Sequence, residues 1–380
     1  MEQQKIYKIG IDARMFSASQ AVGIGHYTEE LIRHILKHDT GNQYYVFLMP
    51  NSYNSFPIHA PNLTKVKVTE PHYSISEQLS YPKVIDSKNL DLIHYTNFNS
   101  PVFFGKTPSV VTIHDLTLWF FSGRSRKDWL NRFLYKQVIK RAAEKAERII
   151  AISHNTKKDI VKLLGQSEDK IFVVHEAASK RHSKLTSPGR IEGIKAKFGI
   201  TKPYMLYVGQ WRAHKNIVRL IRAFHIAKRR YQLDSQLVLV GKIDKKAPEV
   251  LEVIKKLNLK SDVVLTGFVP DEELPYLYHG SEVFIFPSLY EGFGLPPLEA
   301  MASGTPVIAS NSSAIPEILG KAAKYFDPRD VENIAKTMVE VMKNGALRKR
   351  LKTAGLKQVG KYSFDKMAKE TIEIYKQILA

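Results

Sequence analysis

The chain has 380 residues, 44% hydrophobic and 25% charged, an ordinary globular composition with material for two cores. It carries 57 Lys and Arg against 37 Asp and Glu, a net charge of +20, and no cysteine, which excludes disulfides, thiolate metal sites and a cysteine nucleophile. No apolar run reaches the length of a membrane span and the opening MEQQKIYKIGIDAR lacks a signal-peptide core, so a cytoplasmic protein is expected.

The 13 histidines are scattered without the spacing of a zinc helix, and no Asp-x-Asp is present to hold a divalent ion, so a metal-free site is expected. Both halves of the chain are basic, so the charge is not a detachable tail. Beside plain solubility, such an excess points to a polyanionic partner, nucleic acid or an acidic membrane.

Residues 5–12 (KIYKIGID) read as a first strand, and AVGIGHYTEELIRHIL as a glycine turn opening a helix over residues 26–36. Gly23-Ile24-Gly25 lacks the third glycine of the dinucleotide fingerprint, which argues against a hydride-transfer cofactor. Residues 44–49, 65–68 and 91–94 read as further strands. Residues 109–116 are the clearest strand and end at His114-Asp115, the kind of position where open α/β sheets gather functional groups. Taken alone, such a pair is more often structural.

Residues 124–141 set Arg124, Arg126, Lys127, Arg132, Lys136, Lys140 and Arg141 against Asp128, while Trp129, Leu130, Phe133 and Leu134 recur at helical spacing. Two readings stay open. One is an amphipathic helix with its apolar face in the core and a solvated basic back; the other is an interfacial helix on anionic lipid, supported by Trp119-Phe120-Phe121 just before it. Residues 149–152 and 171–174 read as the last strands of the first domain, with Ser153 capping a helix that holds residues 157–164. Residues 176–200, rich in Lys, Ser, Gly and Pro, read as a linker.

A second domain opens with a strand over 204–208, then GQWRAHKN and a helix over 218–230. Arg212 and Lys215 lie in the turn before that helix, where two cations can balance a diphosphate; surface charge is the plain alternative. Residues 237–240 and 263–265 continue the sheet. Residues 283–310, VFIFPSLYEGFGLPPLEAMASGTPVIAS, read as strand, glycine turn, proline-started helix and second strand, a βαβ unit built around a bound anion. The N–H groups near Gly294 and Leu295 suit a phosphate. Glu291 and Glu299 bracket them, and each can accept from two neighbouring hydroxyls, which lays out sugar, diphosphate and ribose in a row. A capped helix with both glutamates solvated is the plain alternative. Residues 312–317 read as a capped turn, with helices to Tyr362 and a last helix over 363–379.

PSLYEGFGLPPLEAMASGTPVIAS resembles the Glu-x7-Glu signature of family 4 of the retaining glycosyltransferases, and the likeness extends over nearly the whole chain. The resemblance implies an α/β GT-B fold, two Rossmann-like domains facing across a cleft. The acceptor domain would span 1–178, with the helix 363–380 crossing back onto it, and the donor domain 200–362. It implies Glu291 on hexose hydroxyls near the reacting carbon, Glu299 on the ribose, and Gly292, Phe293, Gly294 and Leu295 around the donor, with Gly294 and Leu295 on its diphosphate. VGQWRAHKN resembles the family's phosphate-binding loop, which assigns Lys215 and Arg212 to the diphosphate; His214 stands where some members carry arginine. Gly23 and Gly25 would face the diphosphate from the first domain, and backbone near Val269 would hold the base. TIHDL resembles the strand-end histidine that contacts the transferred sugar, which makes His114 catalytic, with Asp115 free to orient it. Family members often carry a glycine soon after the last strand of this domain, where the chain reads His175-Glu176-Ala177-Ala178.

The family's chemistry implies hexose transfer with retention, without metal or cofactor, by same-face attack in which the departing phosphate oxygen takes the acceptor's proton. GIDAR and VGIGHYTEEL most resemble bacterial mannosyl- and rhamnosyltransferases, which makes GDP-mannose the first donor to consider. The partners expected are a nucleotide diphosphate sugar and a sugar or lipid-linked acceptor, and no nucleic acid; peripheral contact with anionic membrane on the inner face of the cell membrane stays open with the two readings of residues 124–141. The rivals are a nucleotide-sugar epimerase or glycan phosphorylase on the same architecture, and a basic nucleic-acid binder. Against the last stand the absence of basic tails and of an interleaved aromatic and basic sheet face.

Overall fold

Short runs of Val, Ile, Leu and aromatics, too apolar to alternate, are what a parallel sheet covered on both faces requires. In the computed structural model these runs form thirteen strands in two sheets, paired in parallel throughout. The structure describes residues 5–17, 23–103, 105–121, 126–179, 188–242 and 247–380, with residues 126–128 described by backbone alone. The chain divides into two units, one of residues up to Glu176 together with Ser363–Ala380, the other Ala177–Tyr362.

The first unit contains β1 (Lys8–Asp12), β2 (Gln43–Leu48), β3 (Leu63–Lys67), β4 (Leu92–Tyr95), β5 (Ser109–Ile113), β6 (Arg148–Ala151) and β7 (Ile171–Val173). Their order, β3-β2-β1-β4-β5-β6-β7, reverses direction between β1 and β4, where Ile11 is paired with Val46 on one side and His94 on the other. Every residue of β4 and β5 is buried. The helix Ile24–His38 places Leu31, Ile32 and Ile35 on this sheet, and Phe364–Leu379 adds Met367, Ile374 and Tyr375 to the same core. The two helices are also joined at their ends, where Asp365 Oδ1 accepts from Lys37 (2.8 Å) and lies 2.6 Å from His38 Nε2.

The second unit contains β8 (Tyr204–Val208), β9 (Gln236–Val240), β10 (Val263–Gly267), β11 (Val283–Phe286), β12 (Val307–Ser310) and β13 (Ala323–Phe326). The order β10-β9-β8-β11-β12-β13 repeats the same Rossmann arrangement, with its reversal between β8 and β11. The helices Ile217–Arg229 and Val331–Lys343 cover it with Leu220, Phe224, Ile334 and Met338, all fully buried.

Three sequence expectations are corrected. Within 176–200 the chain forms a helix, Pro188–Lys197, rather than only a linker. None of its residues is buried, so no apolar stripe announced it; Arg190 instead donates to the Tyr276 hydroxyl (2.8 Å) and Lys197 pairs with Glu273 (2.7 Å). Residues 312–317 do form a turn, Ile315 N–H donating to the Ser312 carbonyl (3.2 Å), but the helix Ile315–Leu319 that follows starts behind Ala314 with no side-chain cap. The helix Arg126–Lys145 meets the core through Tyr135, Ile139 and Ala143, whereas Trp129, Leu130, Phe133 and Leu134 are 68, 50, 48 and 51% exposed, so the core-facing reading of those four fails. Arg124 lies outside the described residues. The expected cap at Ser153 is present, its hydroxyl accepting from Thr156 N–H.

Candidate active site

Open α/β sheets bind ligands beyond the carboxyl ends of their strands, at the point where strand order reverses. In the second sheet that point lies between β8 and β11, and the loops after these two strands are the segments that carry Arg212, Lys215, Glu291 and Gly294. The chain approaches itself closely here: a side chain at Gly241, after β9, would put its Cβ 2.1 Å from the Gly209 carbonyl oxygen after β8. Asn216 turns into the helix Ile217–Arg229 at a left-handed φ of 61° and donates its amide to the carbonyls of Pro287 (3.1 Å) and Pro328 (2.7 Å). Leu289 N–H donates to the His214 carbonyl at 2.7 Å. These bonds join the two loops and bring Lys215 Nζ within 2.6 Å of Glu291 Oε1.

Each glutamate has a second support that sequence reading missed. Glu291 N–H donates to the Ser313 hydroxyl (2.8 Å), and Ser313 reaches it from beyond β12 at a φ of 50°. The Tyr278 hydroxyl donates to Glu299 Oε2 (2.9 Å). Burial, reinforced by the neighbouring Glu299 charge, pushes the Tyr278 phenol well above its usual range, so it stays a donor. Neither partner carries a local motif; both come from other strand–helix units.

Gly294 stands at φ 99° as the residue before the helix Leu295–Ala302, and Pro296 and Pro297 occupy its first turn. The conformation favours glycine, and the first-turn N–H groups have no intrahelical acceptor. The side chains of Phe293 and Val269 are buried, with Phe293 edge-on to Tyr362 at 5.6 Å, so these two residues can offer a ligand little but backbone. Arg212 is exposed in extended conformation, ahead of the short turn Ala213–Lys215.

In the first unit, Gly23 (φ 63°) precedes the helix Ile24–His38, and at Gly25 a Cβ would lie 3.0 Å from the Met15 carbonyl oxygen. His114 sits one residue past β5, edge-on to Tyr27 with ring centroids 4.7 Å apart. Its Nδ1 is 2.8 Å from Glu176 Oε1 and its Nε2 is 2.8 Å from the Thr96 carbonyl oxygen. Asp115 does not orient this ring in the way expected: its carboxylate accepts from Thr117 N–H at 2.6 Å, at the start of the next turn. Burial acts to lower the His114 pKa, but the bond to Glu176 and its charge, with help from the Thr96 carbonyl and Asp115, outweigh it, and the net direction is upward.

Two Rossmann-like parallel sheets in one chain are the architecture of the GT-B glycosyltransferases. Comparison with known proteins agrees. The model of "Glycosyltransferase Family 4" matches residues 22–178 and that of "Glycosyl transferases group 1" matches residues 191–358. The chain is 29% identical over 269 residues to O-antigen chain mannosyltransferase B of Escherichia coli, covering 70% of each. It is 32% identical over 242 residues to the serotype-specific mannosyltransferase WbdA of Escherichia coli, a match that covers 62% of this chain and 29% of that longer one. The crystal structure of Anabaena HepE in complex with UDP-glucose shares its fold, with a TM-score of 0.75 and 16% identity over 98% of this chain and 100% of that one. The chain belongs to family 4 of the GT-B glycosyltransferases and resembles bacterial mannosyltransferases. Among the described residues no helix is long and apolar enough to cross a membrane.

Proposed function

We propose that the protein transfers a hexose, with mannose from GDP-mannose as the first candidate, from a nucleotide diphosphate sugar to a hydroxyl of a glycan or glycolipid acceptor, with retention and without a metal ion. The observation that carries this reading is the Lys215–Glu291 pair at the reversal point of the second sheet, one turn from the helix start at Leu295. Lys215 and Arg212 neutralise the diphosphate, with the N–H groups of Gly294 and Leu295. Glu291 takes hexose hydroxyls and Glu299, steadied by Tyr278, takes those of the ribose. Backbone at Val269, Gly292 and Phe293 lines the donor, and Gly23, Gly25 and His114 keep the roles that the family likeness implies for them. The bond between the anomeric carbon and the phosphate oxygen breaks as the acceptor oxygen bonds the same face, and the acceptor's proton passes to the departing phosphate oxygen.

The reading includes peripheral contact with anionic lipid at the inner face of the cell membrane. Ten of the fourteen large hydrophobic side chains exposed among the described residues fall between Tyr73 and Leu134. The helix Arg126–Lys145 contains seven basic residues against two acidic ones. Cations lie directly on the aromatics, Lys136 over Trp119 at 4.2 Å and Arg141 over Phe103 at 4.9 Å. An apolar surface interleaved with positive charge complements an anionic bilayer.

The test is incubation with a panel of nucleotide sugars, with and without glycan and lipid-linked acceptors, and NMR of the anomeric configuration of the product. Release of hexose from GDP-mannose and an α-linked product support the reading. Binding of no nucleotide sugar, or product formation that needs only inorganic phosphate, overturns it.

A further inference from the structure

His114 has an acceptor at each ring nitrogen, the Glu176 carboxylate at Nδ1 and the Thr96 carbonyl at Nε2, both at 2.8 Å. A neutral imidazole carries one N–H and can satisfy only one of them; the imidazolium donates to both. The alternative, a ring lone pair facing an acceptor in a buried site, is costly, and the His114 and Glu176 side chains are only 11% and 7% exposed. The ring is also fixed in place. Tyr27 packs edge-on to it, with its own hydroxyl bonded to Thr112 Oγ1 (3.1 Å), and the Thr156 hydroxyl reaches the His114 carbonyl (3.4 Å).

We propose that Glu176 is the positioning residue of His114, holding it as an imidazolium so that Nε2–H is a standing donor. The proposal rests on the reading that His114 meets the transferred hexose. A hydroxyl of that sugar can then take Nε2–H from the Thr96 carbonyl while the Glu176 bond keeps the ring oriented and charged. Without Glu176 the neutral ring has a single proton to place at one nitrogen or the other.

The titratable groups facing His114 are Glu176 beyond β7, Asp115 beside it, His94 on β4 and Tyr27 on the Ile24–His38 helix. Of these Glu176 is in direct contact with a ring nitrogen. His94 adds no competing charge, because burial, aided by the His114 charge, lowers its pKa to about 3. Tyr27 stays a neutral phenol because burial pushes its pKa upward.

The informative substitution is Glu176→Gln. Its amide can donate to Nδ1, so the contact survives while the ring becomes neutral with its proton on Nε2. Two readouts are taken: the titration of His114 by NMR of histidine-labelled protein, assigned with His114→Asn, and the pH profile of kcat/KM for transfer. In the wild type His114 titrates above the ordinary histidine value, and activity falls as pH rises through that point. In Glu176→Gln the titration moves down by about one pH unit or more and the alkaline limb of the profile disappears, because the neutral ring keeps its proton on Nε2, and Glu176→Asp restores part of both. An unchanged titration overturns the proposal, and so does a lowered titration with an unmoved rate profile. The NMR arm needs no sugar nucleotide, so it still reports on Glu176 if hexose transfer itself proves wrong.

Discussion

Lys215 Nζ lies 2.6 Å from Glu291 Oε1, and with the two side chains 16% and 13% exposed each ion is the other's main compensation for lost water. A donor brings a diphosphate for the cation and hydroxyls for the carboxylate, so binding exchanges one ion pair for two separate contacts. Glu291→Ala should therefore lower transfer by about 100-fold or more while bare nucleotide diphosphate binds nearly as before. Lys215→Ala should weaken that same nucleotide by about 1.5–3 kcal/mol. Calorimetry with the nucleotide and turnover with the full donor separate the two, and a Glu291→Ala enzyme at wild-type rate would remove the central assignment.

Glu299 depends on Tyr278, which has no other claim on the donor. Tyr278→Phe should cost about 0.5–1.5 kcal/mol of nucleotide affinity, and Glu299→Ala more. A ribose-directed role also predicts that the 2′-deoxy nucleotide narrows the gap between wild type and Glu299→Ala. No narrowing in a competition titration argues against ribose contact.

The sign of the acid response follows from His94, whose Nδ1 lies 2.6 Å from the Tyr375 hydroxyl and whose Nε2 lies 2.8 Å from Thr112 Oγ1. Its pKa is lowered to about 3, so below the ordinary histidine value the unfolded chain takes up a proton that the folded one refuses. The stability that His94 contributes to the first unit is fully present above that value and falls as pH drops, by about 1.4 kcal/mol per pH unit. Hydrogen exchange in the helix Phe364–Leu379, corrected for intrinsic rate, should show weaker protection at pH 5 than at pH 7. Equal protection would refute this.

Metal independence is the expectation set by the missing Asp-x-Asp and by the diphosphate role proposed for Arg212 and Lys215. Transfer should survive exhaustive chelation unchanged. Loss of activity that a divalent ion restores would contradict it.

The lipid contact should be reversible and salt-sensitive, since each basic residue near an anionic surface contributes on the order of 1 kcal/mol. Wild type should float with anionic vesicles at low salt and far less with neutral ones. A variant with Trp129 and Phe133 changed to Ser should lose flotation with little loss of stability, because these side chains are already 68 and 48% exposed. Undiminished flotation would place the contact elsewhere.

Most strands were legible because a sheet covered on both faces needs short apolar runs, and β8 (Tyr204–Val208) and β11 (Val283–Phe286) are found where composition put them. The turn at Gly294 and the helix start at Leu295 were legible for a similar reason: left-handed φ and a missing N–H leave glycine and proline as local traces. Sequence alone also carried the likeness to family 4. What it could not carry were relations between distant segments. The apolar spacing of Trp129 to Leu134 fits a core or an open face equally well, and only the packing of Tyr135 and Ile139 against the sheet decided which side faces out. Ser313 under Glu291, Tyr278 on Glu299 and Glu176 on His114 are single bonds across 22, 21 and 62 residues. Such a bond depends on where two strands end in space, and a lone serine, tyrosine or glutamate looks the same in sequence whether or not a partner stands opposite it.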